Sequence, residues 1–389
     1  MSHPIAKLSF WGVRGSTPTV DRGMWRYGGN TPCLELHTPQ GARFILDCGT
    51  GLRMLGNHWA GPSGADGAAA HIFVTHYHWD HIQGLPFFAP LYAKENAFHF
   101  YSFRSKFLGR NSLKQVFEAQ MALPYFPVEL SAMSAKRVFQ EVAGGESFEI
   151  AGVKITARWL HHPQGCLGYR FETPAGTIVY ATDNEPGDAQ LDASLRELAA
   201  GADVFINDAQ YSPEQLASTR RGWGHSSWLE GVRVAREAGA KTLVLFHHDP
   251  DSTDRVVDNI LRQARDQFET VFAASEGMVM TLGAGDGSPR VEVDLPGTRS
   301  ALRREAQLRA KVSGTTEDGR TFEEETVVRD LSLQGALILL NHSPRLQSEL
   351  QVTMETPGAD GIRSMRLRGY VVRIDAEKGR SAVGVVFTE

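Results

Sequence analysis

Cysteine is scarce in this chain. Its three, Cys33, Cys48 and Cys166, stand among 389 residues, too few and too scattered for a disulfide framework or a cysteine-built zinc knuckle. No apolar run approaches the roughly 18 residues that a membrane-spanning helix needs, so no transmembrane segment is expected. The N-terminus, MSHPIAKLSF, lacks the basic start and long apolar core of a secretion signal. A reducing cytoplasm is the expected compartment. Positive charge is short as well: 40 Lys and Arg against 45 Asp and Glu leave a net charge of −5. That counts against sequence-blind nucleic-acid binding, which leans on Lys and Arg to neutralise phosphates. Internal repeats and low-complexity tracts are absent, and the remaining composition is that of an ordinary globular protein.

Histidine is nearly missing from residues 301–389, which hold only His342 of the 14 in the chain. The same tail balances 13 basic against 13 acidic residues, so the whole negative excess belongs to the earlier part. Two regions of different chemistry are implied. Between them GAGDGSPRVEVDLPGTRS, residues 283–300, is rich in Gly, Pro and Asp and reads as a connection with room for one short strand. The expected division is 1–285, a linker at 286–300, and a small all-β domain at 301–389.

What the first region has in abundance is a cluster. Residues 71–88, HIFVTHYHWDHIQGLPFF, begin as an apolar strand and stop abruptly at His76, Tyr77, His78, Trp79, Asp80 and His81. Three imidazoles and a carboxylate within six residues are costly to hold together unless they bind something, and nitrogen with carboxylate oxygen suits zinc or a similar divalent transition metal. Other strands end in the same way. Residues 43–46 run into Asp47, 154–160 into His161-His162, 177–181 into Thr182-Asp183, 203–206 into Asn207-Asp208 and 241–246 into His247-His248. Strands lying side by side bring such ends to one rim, where rigid elements hold loop residues in place. Two helices are well signalled. One opens at Ser227 with Glu230 three residues on and stops at Gly239; the other follows Asp251 or Ser252, with Val257, Ile260, Leu261, Ala264 and Phe268 at helical spacing. Residues 100–145 specify a helix near 112–122 and little else.

His76-x-His78-x-Asp80-His81, followed by Gly84-Leu85-Pro86, resembles the signature of the metallo-β-lactamase superfamily. His162, Asp183 and His247 follow in the family's order, so the resemblance covers roughly residues 5–285. It implies an α/β fold, the αββα sandwich of two sheets with helices outside, and two divalent metal ions at the sheets' edge, zinc by default with manganese or iron as alternatives. His76, His78 and His162 are then expected on the first ion and Asp80, His81 and His247 on the second, with Asp183 bridging. Neighbours on an extended chain point to opposite sides, so only one of His161/His162 and one of His247/His248 is expected to reach a metal. The resemblance selects His162 and His247. Asp47 reads either as an outer residue fixing a ligand imidazole or as a turn-capping Asp.

Paired metals fit hydrolysis, because they acidify water and clamp the oxygens of a phosphoryl or carbonyl group. Asp80 is the candidate to orient or deprotonate the nucleophile. Gly224-His225-Ser226-Ser227-Trp228 sets a histidine just ahead of a helix N-terminus, where an anionic group is favoured, and Asp208-Ala209-Gln210-Tyr211 sets a carboxylate at the preceding strand end. Both segments look like the phosphodiesterase branch, which contains tRNA 3′-processing endonucleases and phosphoribosyl cyclic phosphodiesterases, as do FWGVRGSTPT, YGGNTPC and LDCGTG. The resemblance implies that Asp208 orients His225 and that His225 protonates the leaving alkoxide; the alternative for His225 is an ordinary residue at a helix start. The expected substrate is a small or cyclic phosphodiester. A tRNA 3′-end endonuclease is the nearest rival, disfavoured by the net charge and the absence of a basic Gly/Pro-rich arm. A lactonase and a signalling adaptor with a vestigial site are the others. Homo-oligomerisation is left open.

In the tail, Asp330-Leu331-Ser332-Leu333-Gln334-Gly335 is similar to the D-x-S-x-x-G motif of PilZ domains, small β-barrels that bind cyclic di-GMP. The family's two arginines four apart are not met: Arg303, Arg304 and Arg309 lie in the right neighbourhood at other spacings. The tail therefore reads either as a cyclic di-GMP sensor, through Arg303, Arg304, Arg309, Asp330, Ser332 and Gly335, or as a degenerate barrel used for protein contact.

Overall fold

The structure, a computed structural model, describes residues 5–60, 68–283, 290–293, 304–331, 335–358, 361–377 and 379–387. The chain divides into two compact units, Met1–Val291 and Glu292–Glu389.

The first unit holds two sheets. An eight-stranded sheet runs in the order Arg290–Val293, Met278–Leu282, Ala6–Gly12, Cys33–His37, Arg43–Leu46, Ala69–Phe73, Ala97–Ser102, Lys136–Glu141. A seven-stranded sheet runs Val271–Ala273, Leu243–Phe246, Val204–Asp208, Gly176–Ala181, Cys166–Thr173, Val153–Leu160, Ser147–Ile150. Rings from the two sheets meet between them: Phe73 packs edge-on to Phe171 at 5.3 Å and to Tyr169 at 5.1 Å, and Phe44 lies 5.6 Å from Phe171. The alternate residues face outward under helices. Ile45, Ile72 and Phe98 join Leu52, Leu55 and Trp59 of the helix Gly51–Trp59. Val179, Phe205 and Leu243 join residues of Ala189–Ala199, Trp228–Ala238 and Asp254–Arg265. This is the αββα sandwich. Covering both faces of each central strand explains why the strands read as continuous apolar runs rather than alternating ones.

Local signals account for the helix limits. Trp228–Ala238 begins at Ser227, whose side chain accepts from the Glu230 N–H at 3.4 Å, and ends at Gly239 with φ 65°. The next helix begins later than Asp251 or Ser252, at Thr253. The reason is a turn in which the Ser252 N–H donates to the Asp249 carbonyl while the Ser252 carbonyl accepts from Arg14.

Direction matters most for the site. The strands Arg43–Leu46 and Ala69–Phe73 are parallel, as are Gly176–Ala181, Val204–Asp208 and Leu243–Phe246. Two antiparallel steps give Val153–Leu160 the direction of Gly176–Ala181. The C-terminal ends within each sheet therefore share an edge. Three residues just past those ends, Asp47, Asp183 and His247, take φ of 62°, 54° and 60°. Left-handed backbone costs a non-glycine residue about 1 kcal/mol or more, and here it breaks the strand's up-and-down alternation where the side chain must turn over the rim.

The second unit is a closed barrel of six antiparallel strands, in the order Arg304–Thr315, Thr321–Leu331, Gly335–Leu340, Arg380–Phe387, Gly361–Glu377, Glu349–Gly358. Val312, Val328, Ile338, Leu340, Leu350, Val352, Val371 and Val383 fill it. Closure leaves no free strand edge. Among the described residues, no helix is long and apolar enough to cross a membrane.

Candidate metal centre

The rim gathers two sets of donors. His76, His78 and His162 form one; Asp80, His81, Asp183 and His247 form the other, with the donor atoms of each set within 4.8 Å of one another. Asp183 faces both. Its Oδ2 lies 3.6 Å from His76 Nε2 and 3.9 Å from His162 Nε2, and its Oδ1 lies 3.4 Å from His81 Nε2 and 3.3 Å from His247 Nε2. Asp80 Oδ2 stands 3.2 Å from His81 Nε2 and 3.1 Å from His247 Nε2.

Most of these imidazoles are held from behind by their other nitrogen. His162 Nδ1 donates to the Gly224 carbonyl at 2.7 Å, which leaves Nε2 as the lone pair. His81 Nδ1 meets Asp47 Oδ2 at 2.8 Å, His247 Nδ1 meets Gln210 Oε1 at 2.9 Å, and His76 Nδ1 meets Thr75 Oγ1 at 3.1 Å. Such outward bonds orient the ring and its free nitrogen. The neighbours His161 and His248 are committed elsewhere, on the carbonyls of Glu185 at 2.9 Å and Ala274 at 2.8 Å.

The electrostatics fit a divalent ion. Burial drives the first trio neutral: His162 falls to about 4, and His76 and His78 are also lowered. A neutral His76 makes no ion pair with Asp183; its Nε2 is buried without any hydrogen-bond partner, a loss of about 1–3 kcal/mol unless something binds there. In the second set burial would lift the carboxylates, yet His81 and His247 hold Asp80 well down, and His247 and His81 do the same for Asp183. Burial likewise opposes charge on His81, but Asp80, Asp183 and Asp47 override it. Asp47, Asp80, Asp183 and Asp208 are all buried, and buried carboxylates need cations.

Beside this cluster, His225 Nδ1 lies 2.8 Å from Asp208 Oδ2 and 3.8 Å from Asp183 Oδ2, and its ring stacks on His247 at 5.0 Å. Burial lowers the His225 pKa, but Asp208, reinforced by Asp183 and Asp80, holds it up to about 9. Asp208, His225, Asp183 and His247 also fall within one donor group.

Residues 42–248 match the beta-lactamase superfamily domain, more than half of the chain, and residues 298–389 match the PilZ domain. The chain belongs to the beta-lactamase superfamily. Among curated relatives it is 25% identical over 312 residues to ribonuclease BN of Erwinia tasmaniensis, covering 67% of this chain and 95% of that protein. It is also 25% identical over 321 residues to ribonuclease Z of Haloarcula marismortui, covering 70% and 95%. Among solved structures it shares the fold of the metallo-beta-lactamase fold protein YhfI from Bacillus subtilis (TM-score 0.54, 21% identity, 72% of this chain and 99% of that one). Human tRNase Z, short form, has a TM-score of 0.51 at 19% identity, covering 70% and 98%.

Behind this superfamily site stand Asp47, for which the sequence offers the role of fixing a ligand imidazole, and several residues that are silent in the sequence. Asp47 accepts from the Thr75 N–H and hydroxyl at 2.7 and 3.0 Å and from the Tyr180 hydroxyl at 2.8 Å, besides meeting His81. Glu185 accepts the Gly222 and Gly224 N–H groups at 2.6 and 2.8 Å, fixing the loop that carries His225 and supports His162. Gly224 itself has φ 85°, and a Cβ there would fall 2.4 Å from His162 Nδ1. Arg14 is wholly buried and donates to the carbonyls of Gly28, Asp249 and Ser252 at 2.9–3.2 Å, tying the first loop to the one after His247. Gln210 links His247 to Ser16 Oγ at 3.2 Å, and the Ser16 N–H donates to Asp80 at 2.8 Å. The one signal for Gln210 and Glu185 is position, two residues beyond a strand-end Asp.

Asp47→Asn tests this support, because asparagine tolerates the left-handed backbone while removing the charge behind His81. The variant is expected to bind metal about 10–100-fold more weakly, measured by competition with a chelator.

Of the tail residues, Arg303 and Ser332 lie outside the described residues, as does the side chain of Arg304, whose backbone opens the first barrel strand. Arg309 is exposed on that strand opposite Val327, Asp330 pairs with Glu305, and Gly335 opens the third barrel strand.

Proposed function

We propose that the chain is a binuclear-metal phosphodiesterase acting on a small or cyclic phosphodiester. The observation that carries this reading is the Asp208–His225 pair, bonded at 2.8 Å and set against Asp183 and His247. His76, His78 and His162 would hold one ion, Asp80, His81 and His247 the second, and Asp183 both. Bound divalent ions, zinc first and manganese or iron as alternatives, supply Lewis acidity and make water at the site more acidic. Asp80, fixed by the Ser16 N–H, orients the attacking water and accepts its proton. His225, kept protonated by Asp208, donates a proton to the departing alkoxide.

A small substrate is supported by the walls of the site. Neither of the two cavities at the cluster is lined by Lys or Arg, whereas a polyanion needs such partners. The similarity to ribonucleases BN and Z over 95% of their length favours a second reading, an RNA 3′-end endonuclease. Metal-loaded protein assayed on bis(p-nitrophenyl) phosphate, a panel of cyclic nucleotides, lactones and a tRNA bearing a 3′ trailer separates them. Turnover of the small esters supports the first reading, and cleavage confined to the tRNA supports the second. Activity on lactones alone, or metal content near zero, ends both. For the PilZ domain, calorimetry with cyclic di-GMP decides between sensor and scaffold; no heat at tens of micromolar ligand ends the sensor reading.

A further inference from the structure

Two cavities meet at the metal cluster, and their walls differ. One, ≈490 Å³, is lined by Ser16, Trp79, Asp80, Asp183 and His225 among others. The second, ≈270 Å³, is lined by Phe103, Phe107, Leu108 and Pro163 together with His76. They share Tyr77, His78 and Gln164, so the two lie side by side at the donor cluster. No carboxylate or guanidinium lines the second cavity, and the Lys106 ammonium lies 5.1 Å from the centre of the Phe107 ring.

That apolar wall is built rather than incidental. Phe103 is buried and packs on Tyr77 at 4.8 Å and edge-on to Trp159 at 5.1 Å, and the Tyr77 hydroxyl donates to the Phe103 carbonyl. The turn that follows is fixed by its own hydrogen bonds. The Ser105 N–H donates to Ser112 Oγ at 2.8 Å, the Phe107 N–H to Ser105 Oγ at 3.1 Å, and the N–H groups of Leu108 and Gly109 to the Ser105 carbonyl at 3.3 and 3.0 Å. Held by this turn, Phe107 is 66% exposed and Leu108 40% exposed. Large apolar side chains kept in water beside a reactive centre gain free energy when a ligand covers them.

We propose that this second cavity is the subsite for the ester arm that stays on phosphorus, and that it selects a flat ring, a nucleobase or an aryl group, over a short alkyl group. The proposal rests on the phosphodiesterase reading. The departing oxygen faces His225 in the larger cavity, so the retained arm is directed to the opposite wall. There a ring gains contact area with Phe107 and Leu108, whereas a short alkyl group covers little of that wall.

The test varies only the retained arm. Methyl, phenyl and thymidine-5′ p-nitrophenyl phosphates all release p-nitrophenolate when water forms the new P–O bond. Full-length metal-loaded protein is expected to turn over the phenyl and thymidine esters with kcat/KM about tenfold or more above the methyl ester. Phe107→Ala, and independently Leu108→Ala, should each shrink that ratio about threefold or more. Phenyl phosphate should inhibit more tightly than methyl phosphate, a binding readout separate from turnover. Equal kcat/KM across the three esters, or ratios untouched in both variants, overturns the subsite. No p-nitrophenolate from any of them at full metal loading overturns the phosphodiesterase reading, and the subsite with it.

Discussion

Asp183→Asn is expected to lower kcat/KM by about 10⁴-fold or more, the scale of losing a metal-centred electrostatic clamp, and to reduce bound metal to less than half of the wild-type content. Among the described residues, Asp183 is the one side chain whose two oxygens face different donor sets, Oδ1 toward His81 and His247 and Oδ2 toward His76 and His162. Its loss would remove the negative charge that stands between the two donor sets. Asparagine is the informative replacement because it tolerates the left-handed backbone at φ 54°, whereas alanine adds a backbone cost of its own. Elemental analysis of the purified variant reads the metal, and a cooperative thermal transition shows that the fold persists. Wild-type metal content together with wild-type rate would remove Asp183 from the site.

His225→Ala is expected to keep its metal and lose rate, and the loss should depend on the leaving group. His225 is fixed through Nδ1 by Asp208 at 2.8 Å, which leaves Nε2 to donate. An alkoxide is a poor leaving group and needs that proton, so hydrolysis of a dialkyl or cyclic ester should fall about 10³-fold, within the usual range for a general acid. p-Nitrophenolate leaves without help, so its esters should lose about tenfold or less. The pH dependence follows from the sign of the shift. The acid works in its protonated form, which the carboxylates preserve up to a pKa of about 9. Wild-type kcat on an alkyl ester should therefore fall as pH rises through that region, and the variant should lack this alkaline limb. Asp208→Asn should move the limb to lower pH, because the charge that raises the His225 pKa is gone. Equal losses on alkyl and aryl esters would leave His225 a purely structural residue.

The site was legible where chemistry and strand periodicity coincide. His76, His162, Asp183, Asp208 and His247 each end an apolar run, and the short spacing of His78, Asp80 and His81 adds the rest. Parallel pairing then brings the runs to one edge. The supporting residues were not legible, because their partners are distant backbone groups. Glu185 binds the N–H groups of Gly222 and Gly224, and Arg14 binds carbonyls of Asp249 and Ser252; nothing in local composition marks such bonds. Tyr180 reads as one more strand residue, although its hydroxyl reaches Asp47. In the barrel, Arg304–Thr315 and Glu349–Gly358 carry a weak strand signal because charged and polar residues alternate with Ala310, Val312, Leu350 and Val352, which dilutes their hydrophobicity. The wall of Phe103, Phe107 and Leu108 lies between the strand Ala97–Ser102 and the helix Ser112–Gln120, where hydrogen-bonded turns rather than periodic elements set the conformation.

Six side chains arranged around Asp183 are proposed to complete a two-metal site that hydrolyses phosphodiesters. Titrating metal-free protein with zinc or manganese while following bis(p-nitrophenyl) phosphate hydrolysis and bound metal together tests it most directly. Two tightly bound ions per chain are expected, with activity appearing as the second is bound. Full activity at one ion, or none after two have bound, would contradict it.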